Sequence, residues 1–128
     1  MALLDVRLPA LPEAVPAARR ALAEALDGRP DELVERAKIV LSELVTNGIR
    51  HGADPQVGWV RMVVSERAGR LRIEVTDSGE SPGAPRVRTA GRDETGGWGL
   101  YLVANLTTSW GYSLDGHRTV WCELEQPG

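Results

Sequence analysis

Three short runs of this chain hold residue types that could do chemistry together. The first is Glu43-Leu-Val-Thr-Asn47-Gly48-Ile-Arg50-His51-Gly52. On a helix, Glu43 and Asn47 lie four residues apart and stack on one face, about 6 Å along the axis. Arg50 follows three residues later over the same region. A carboxylate, an amide oxygen and a guanidinium on one flank suit a hydrated metal ion and a phosphate chain. The amide supplies a hard oxygen ligand and the arginine balances charge. Gly48, inside the helix, costs about 1 kcal/mol relative to alanine, a cost easier to accept where something must approach the backbone. A solvated helix face with a glycine at its end would carry the same residues.

The second run is Leu71-Arg-Ile-Glu-Val-Thr-Asp77-Ser78-Gly79. Positions 71, 73, 75 and 77 share one face of a strand, which puts Asp77 on the side of Leu71, Ile73 and Val75. A carboxylate there needs a donor to offset its desolvation. The amino group of a buried base or a capping backbone N–H would each serve, and Ser78-Gly79 also permits a plain Asx turn. The third run is Glu94-Thr-Gly-Gly97-Trp98-Gly99-Leu100. Its glycines clear side chains from a helix N-terminus where backbone N–H groups converge, which makes an anion site. Glycine-rich turns without any ligand look the same.

Other chemistry-bearing residues read as structural. His51 and His117 have no His or Cys partner at ligand spacing, and Ser42 has no His-Asp arrangement to activate it. Trp59, Trp110 and Trp121 are expected in the core or an interface. Trp98 could meet a ligand or pack a lid.

The elements that must position these runs follow from hydrophobic period and breakers. A short strand is expected over 3–8, stopped by Pro9 and Pro12, and a helix over 13–26, where Val15, Ala18, Leu22, Ala25 and Leu26 keep helical spacing. A longer helix over 31–51 carries Leu33, Val34, Ala37, Val40, Leu41, Leu44, Val45 and Ile49 as a broad apolar stripe, with Asp31 able to cap it. Strands over 58–67 and 70–77 join at the turn Ala68-Gly69. Residues 78–96 have no periodicity, and a loop that long inside a compact domain is usually functional. A helix over 98–106 and strands over 108–113 and 118–125 close the chain. This order predicts an α+β fold: a two-layer α/β sandwich, its helices gathered on one face of a mixed, mostly antiparallel sheet. The other sheet face is then solvated or covered by a partner.

Length and composition bound the rest. A chain of 128 residues fits one domain, spanning 1–128, and buries enough surface to fold without disulfide or metal. With 15 Lys and Arg against 18 Asp and Glu, the net charge is −3, which argues against a general nucleic-acid binder. Cys122 is the single cysteine and suits a reducing cytoplasm. The first residues are not a signal peptide, and no apolar run is long enough for a membrane span.

Taken in order, Glu43-x-x-x-Asn47 on a helix, Asp77-x-Gly79 after a strand and Gly97-x-Gly99-Leu100 opening a helix resemble the three nucleotide-binding boxes of the Bergerat-fold ATPases. Within that superfamily, Glu-Leu-Val-Thr-Asn-Gly-Ile-Arg-His-Gly and Gly-Trp-Gly-Leu-Tyr-Leu-Val are particularly similar to the anti-sigma factor serine/threonine kinases. The resemblance covers about residues 33–125 and implies a histidine kinase-like ATP-binding fold with ATP and Mg²⁺ as ligands. It implies that Asn47 holds the metal, Asp77 accepts from the adenine amino group, and Gly79 lets the base approach. Gly97, Gly99 and Leu100 would meet the phosphates, Arg50 would touch one of them, and Glu43 would act as catalytic base. Residues 80–95 would form an ATP lid, with Arg86, Arg88 and Arg92 available to phosphates or a partner. The implied partners are a sigma factor and an antagonist protein phosphorylated on Ser or Thr; a homodimer, through the uncovered sheet face or an exposed helix, fits the same pattern. A sensor histidine kinase is not expected, because no helical segment bearing a phospho-accepting histidine precedes the domain. One departure is Ser81, followed by Pro82, where the fuller family pattern has glycine. It bears on lid geometry and turnover, and keeps open a nucleotide-binding regulatory module without kinase activity.

Overall fold

The computed structural model describes residues 2–51, 57–79, 98–114 and 116–126. Its elements are β1 (Ala2–Pro9), α1 (Ala14–Ala25), α2 (Asp31–His51), β2 (Trp59–Arg67), β3 (Arg70–Asp77), α3 (Trp98–Leu106), β4 (Ser109–Ser113) and β5 (Arg118–Glu125). The expected elements are all present, with ends shifted by a residue or so. Asp31 lies within the first turn of α2 rather than before it, where its charge and that of Glu32 favour the helix dipole.

The five strands form one open sheet in the order β1-β2-β3-β5-β4. Every pairing among them is antiparallel, so the α+β class holds while the parallel component of a mixed sheet is missing. The reason is the strand order. β4 runs in the direction of β3, but the β4–β5 hairpin folds β5 back between them. The β2–β3 turn is equally specific: Ala68 and Gly69 have φ of 52° and 76°, the paired positive values that a two-residue turn matching strand twist requires.

Alternation sorts the sheet into two faces. Val60, Met62 and Val64 of β2, Leu71, Ile73 and Val75 of β3, and Val120, Cys122 and Leu124 of β5 are all buried on one side. Leu22 and Leu26 join them from the α1 segment, and Ala37, Val40, Leu41, Leu44 and Val45 from α2. Each large side chain fully buried this way contributes about 1.5–3 kcal/mol. Burial pushes the Cys122 thiol up to about 12, so it serves as an inert apolar group in this layer.

The opposite face is polar and densely paired. Arg61 makes two bonds to Asp5, at 2.8 and 2.7 Å, and Arg72 reaches Glu123 at 3.1 Å. Two of the three tryptophans expected in the core or an interface lie on this face: Arg7 stacks over Trp59 at 4.0 Å and Arg72 over Trp121 at 4.3 Å. Their positions have the parity of the outer face, and guanidinium stacking shields the rings there. Trp110, of the other parity, packs against the core.

Candidate functional site

The apolar layer of the sheet ends in charge. Along β3 and β5 the cross-strand pairs on the core face run Leu71 with Leu124, Ile73 with Cys122, Val75 with Val120, and then Asp77 with Arg118. These last two are buried as deeply as their apolar neighbours, at 2% and 5% exposure. Arg118 Nε donates to Asp77 Oδ2 at 3.3 Å. Gly79 N donates to the other oxygen, Oδ1, at 3.0 Å. This last bond is the Asx turn that Ser78-Gly79 permitted. Burial pushes the Asp77 carboxyl above its ordinary range, against the opposing pull of Arg118, the Gly79 N–H and His117.

Helix α2 delivers the second part. Its last turns cross the end of β3 so closely that a Cβ on Gly48 would stand 3.3 Å from Val60 Cγ1 and 3.4 Å from Asp77 Cβ. The body approaching the backbone at Gly48 is therefore the strand that carries the acid. One residue earlier, the Asn47 carbonyl accepts from Arg118 Nη2 at 3.3 Å. The Asn47 side chain brings a buried Nδ2 that has no hydrogen-bond partner. Buried polar atoms are seldom left so; this one is a donor awaiting an acceptor.

Glu43 lies one turn back on α2 and lines a shallow cleft with Arg19, Glu35, Lys38, Ile39 and Ser42. Partial burial pushes its carboxyl up, and the charge of Arg50 acts the other way. Arg50 itself is exposed. The third run is placed by its backbone alone. Gly99 and Leu100 fall in the first turn of α3, which packs along α2. Gly97 and the expected lid, 80–95, lie outside the described residues. Of the residues singled out from sequence, the structure thus brings Asn47, Gly48, Asp77 and Gly79 together.

Arg118 was missed. Its parity with Val120, Cys122 and Leu124 would have found it, as the same argument found Asp77 on β3. His117, expected to be structural or solvated, is exposed and meets the Trp59 ring edge to face at 5.2 Å. Among the described residues no cluster of three or more His, Cys, Asp or Glu could hold a metal ion. No helix among them is long and apolar enough to cross a membrane.

An amide, a buried acid and a glycine crossing thus meet where α2 crosses the end of the antiparallel sheet. Residues 8–122 match the histidine kinase-like ATPase domain, and the chain belongs to that family. The fold is also that of the histidine kinase domain of the blue-light activated histidine kinase from Erythrobacter litoralis EL346. The two superpose with a TM-score of 0.59 at 21% identity, over 89% of this chain and 60% of that one. A second structure of that kinase gives 0.56 at 21% identity, over 94% and 42%. The chain thus spans less than two thirds of either structure. No curated protein matches it.

Proposed function

We propose that this protein binds Mg-ATP between α2, the end of β3 and the start of α3, and acts as a regulatory kinase of anti-sigma type. The observation that carries the reading is the meeting of Asn47, Gly48 and Asp77 at one point, with an unpartnered donor on Asn47. Asp77 accepts from the adenine amino group through the lone pairs left after Gly79 and Arg118. Asn47 presents Oδ1 to the metal and turns Nδ2 toward a phosphate oxygen. A lone amide is enough, because Mg²⁺ takes one or two protein ligands and fills its shell with phosphate and water. The ion, when bound, supplies charge neutralisation on the phosphates. Gly97, Gly99 and Leu100 offer backbone N–H groups to the same chain, and Arg50 adds a positive charge beside it.

Glu43 acts as the base. Its raised affinity for a proton suits a group that takes one from an attacking hydroxyl as the new O–P bond forms and the bond to the ADP leaving group breaks. The attacking group is a Ser or Thr of an antagonist protein, and a sigma factor is the second partner, as the likeness of the Asn47 and Gly99 segments to that family suggests. Ser81 favours the second reading, a nucleotide-binding module without transfer.

Calorimetry with ATP, with and without Mg²⁺, tests the site. Asn47→Ala weakens binding mainly in the presence of the metal; equal affinity in both conditions removes Asn47 as its ligand. Incubation with labelled ATP and antagonist proteins tests the reaction. Glu43→Ala leaves ATP bound and stops labelling of Ser or Thr, and undiminished labelling removes Glu43 as the base.

A further inference from the structure

We propose that Arg118 is the positioning residue that sets base selectivity in this nucleotide site, by holding Asp77 as a purely accepting group. The inference rests on the nucleotide reading above and goes beyond it, since Arg118 belongs to none of the three sequence runs. Three observations carry it. Arg118 and Asp77 are cross-strand partners at the point where the apolar layer ends. Both are almost wholly buried, and Arg118 Nε takes Asp77 Oδ2 while Gly79 N takes Oδ1. The other arm of the guanidinium reaches the Asn47 carbonyl, so one side chain ties the strand bearing the acid to the turn of α2 bearing the amide.

The consequence is chemical. Arginine does not shed its proton in proteins, so both Asp77 oxygens face donors and neither needs a proton of its own. Such a carboxylate can only accept. It welcomes the 6-amino group of adenine and repels the 6-oxo group of hypoxanthine or guanine, whose lone pairs meet its own. Without the guanidinium, Oδ2 loses the donor that fixes it as an acceptor, and the carboxyl is free to turn away from the 6-amino group. Asp77 alone does not make the discrimination; the pair does.

The test compares binding of ATP and inosine triphosphate by calorimetry, in wild type, Arg118→Met and Arg118→Lys, with circular dichroism to confirm folding. Wild type is expected to prefer ATP by about tenfold or more, the worth of one hydrogen bond to a charged group. Arg118→Met brings the two affinities within about threefold, and Arg118→Lys, which restores the charge, recovers part of the preference. If Arg118→Met does not fold, Arg118→Gln replaces it, since its amide can still donate to Asp77 without carrying charge. The same loss of preference is expected. A preference unchanged while both affinities fall equally makes Arg118 structural and overturns the proposal. Tighter ATP binding by Arg118→Met also overturns it, because the guanidinium would then be occupying the place of the amino group. Wild type that binds both triphosphates equally refutes the selectivity and leaves the nucleotide reading standing. Wild type that binds neither refutes that reading itself.

Discussion

Removing both members of the Asp77–Arg118 pair should cost less than the two single losses added together. At the observed 3.3 Å, two unit charges attract by about 5 kcal/mol at an effective dielectric of about 20, and most of that only offsets desolvation. The two single variants are not equivalent. Asp77→Asn strands a guanidinium that cannot neutralise itself in a site 5% exposed, a loss of about 3–5 kcal/mol. Arg118→Met leaves a carboxyl that burial already pushes toward its protonated form. That group can take a proton, so the cost is about 1–3 kcal/mol, the range for one unsatisfied buried polar group. The double variant Asp77→Asn/Arg118→Met strands no charge, and should fall short of the summed single losses by about 2–3 kcal/mol.

Urea unfolding at neutral pH, followed by tryptophan fluorescence, measures all four proteins. A domain of this size has about 5–15 kcal/mol in total, so the asparagine variant should lose about a fifth or more of its stability. Additivity within about 0.5 kcal/mol would mean that the pair is screened by water despite its depth. An Asp77→Asn variant as stable as wild type would mean the same, and either result removes the physical basis for Arg118 controlling Asp77.

Three other perturbations follow from the same geometry. Gly48→Ala gains about 1 kcal/mol of helix propensity and spends it against Val60 at 3.3 Å and Asp77 at 3.4 Å. Its urea midpoint should therefore stay near wild type, and recovery of the full gain would show the crossing to be looser than described. Gly111→Ala drives a Cβ to 2.7 Å from Trp121 Cζ2, beneath the ring on which Arg72 stacks, and should cost about 1–3 kcal/mol in the same assay. Glu43 holds its proton more tightly folded than unfolded, so its contribution is complete below its unfolded pKa of about 4.3 and is lost as pH rises through its folded value. Glu43→Gln should gain on wild type as urea midpoints are taken from pH 4 to pH 8, and a difference independent of pH would show that its burial has no energetic consequence.

What could be read from the chain and what could not divides along physical lines. Helix α2 was legible because its apolar positions repeat with a period near 3.6 over six turns, and Asp77 because strand parity assigns a face to every residue between Leu71 and the end. The order of the strands was not legible. Nothing local to residues 98–125 says that the last hairpin inserts β5 beside β3, and with that insertion the expected parallel neighbour disappears. For Trp59 and Trp121 parity decides between the core and the outer face, and stacking under Arg7 and Arg72 makes an aromatic ring tolerable on a charged face. Arg118 escaped for a related reason. An isolated arginine near a turn reads as solvated unless the alternation of Val120, Cys122 and Leu124 is followed back to it, and the cross-strand register then places it in their row.

The placement of that pair argues about function independently of any resemblance. A buried ion pair is a weak source of stability, since apolar residues of similar volume in both places are often as good or better. The row formed by Leu71, Ile73 and Val75 against Leu124, Cys122 and Val120 could have continued with one more aliphatic pair, and the fold would have stood. Instead the layer closes with a carboxylate, a guanidinium and, on the helix crossing them, an amide nitrogen with no partner. Three buried polar groups from three separate elements meet at one end of the sheet, and their desolvation is only partly offset by one another. Packing does not ask for that arrangement. The nucleotide proposed above would account for it, since its exocyclic amine would supply the donor that Asp77 can still accept and its anionic oxygens the acceptor that Asn47 lacks.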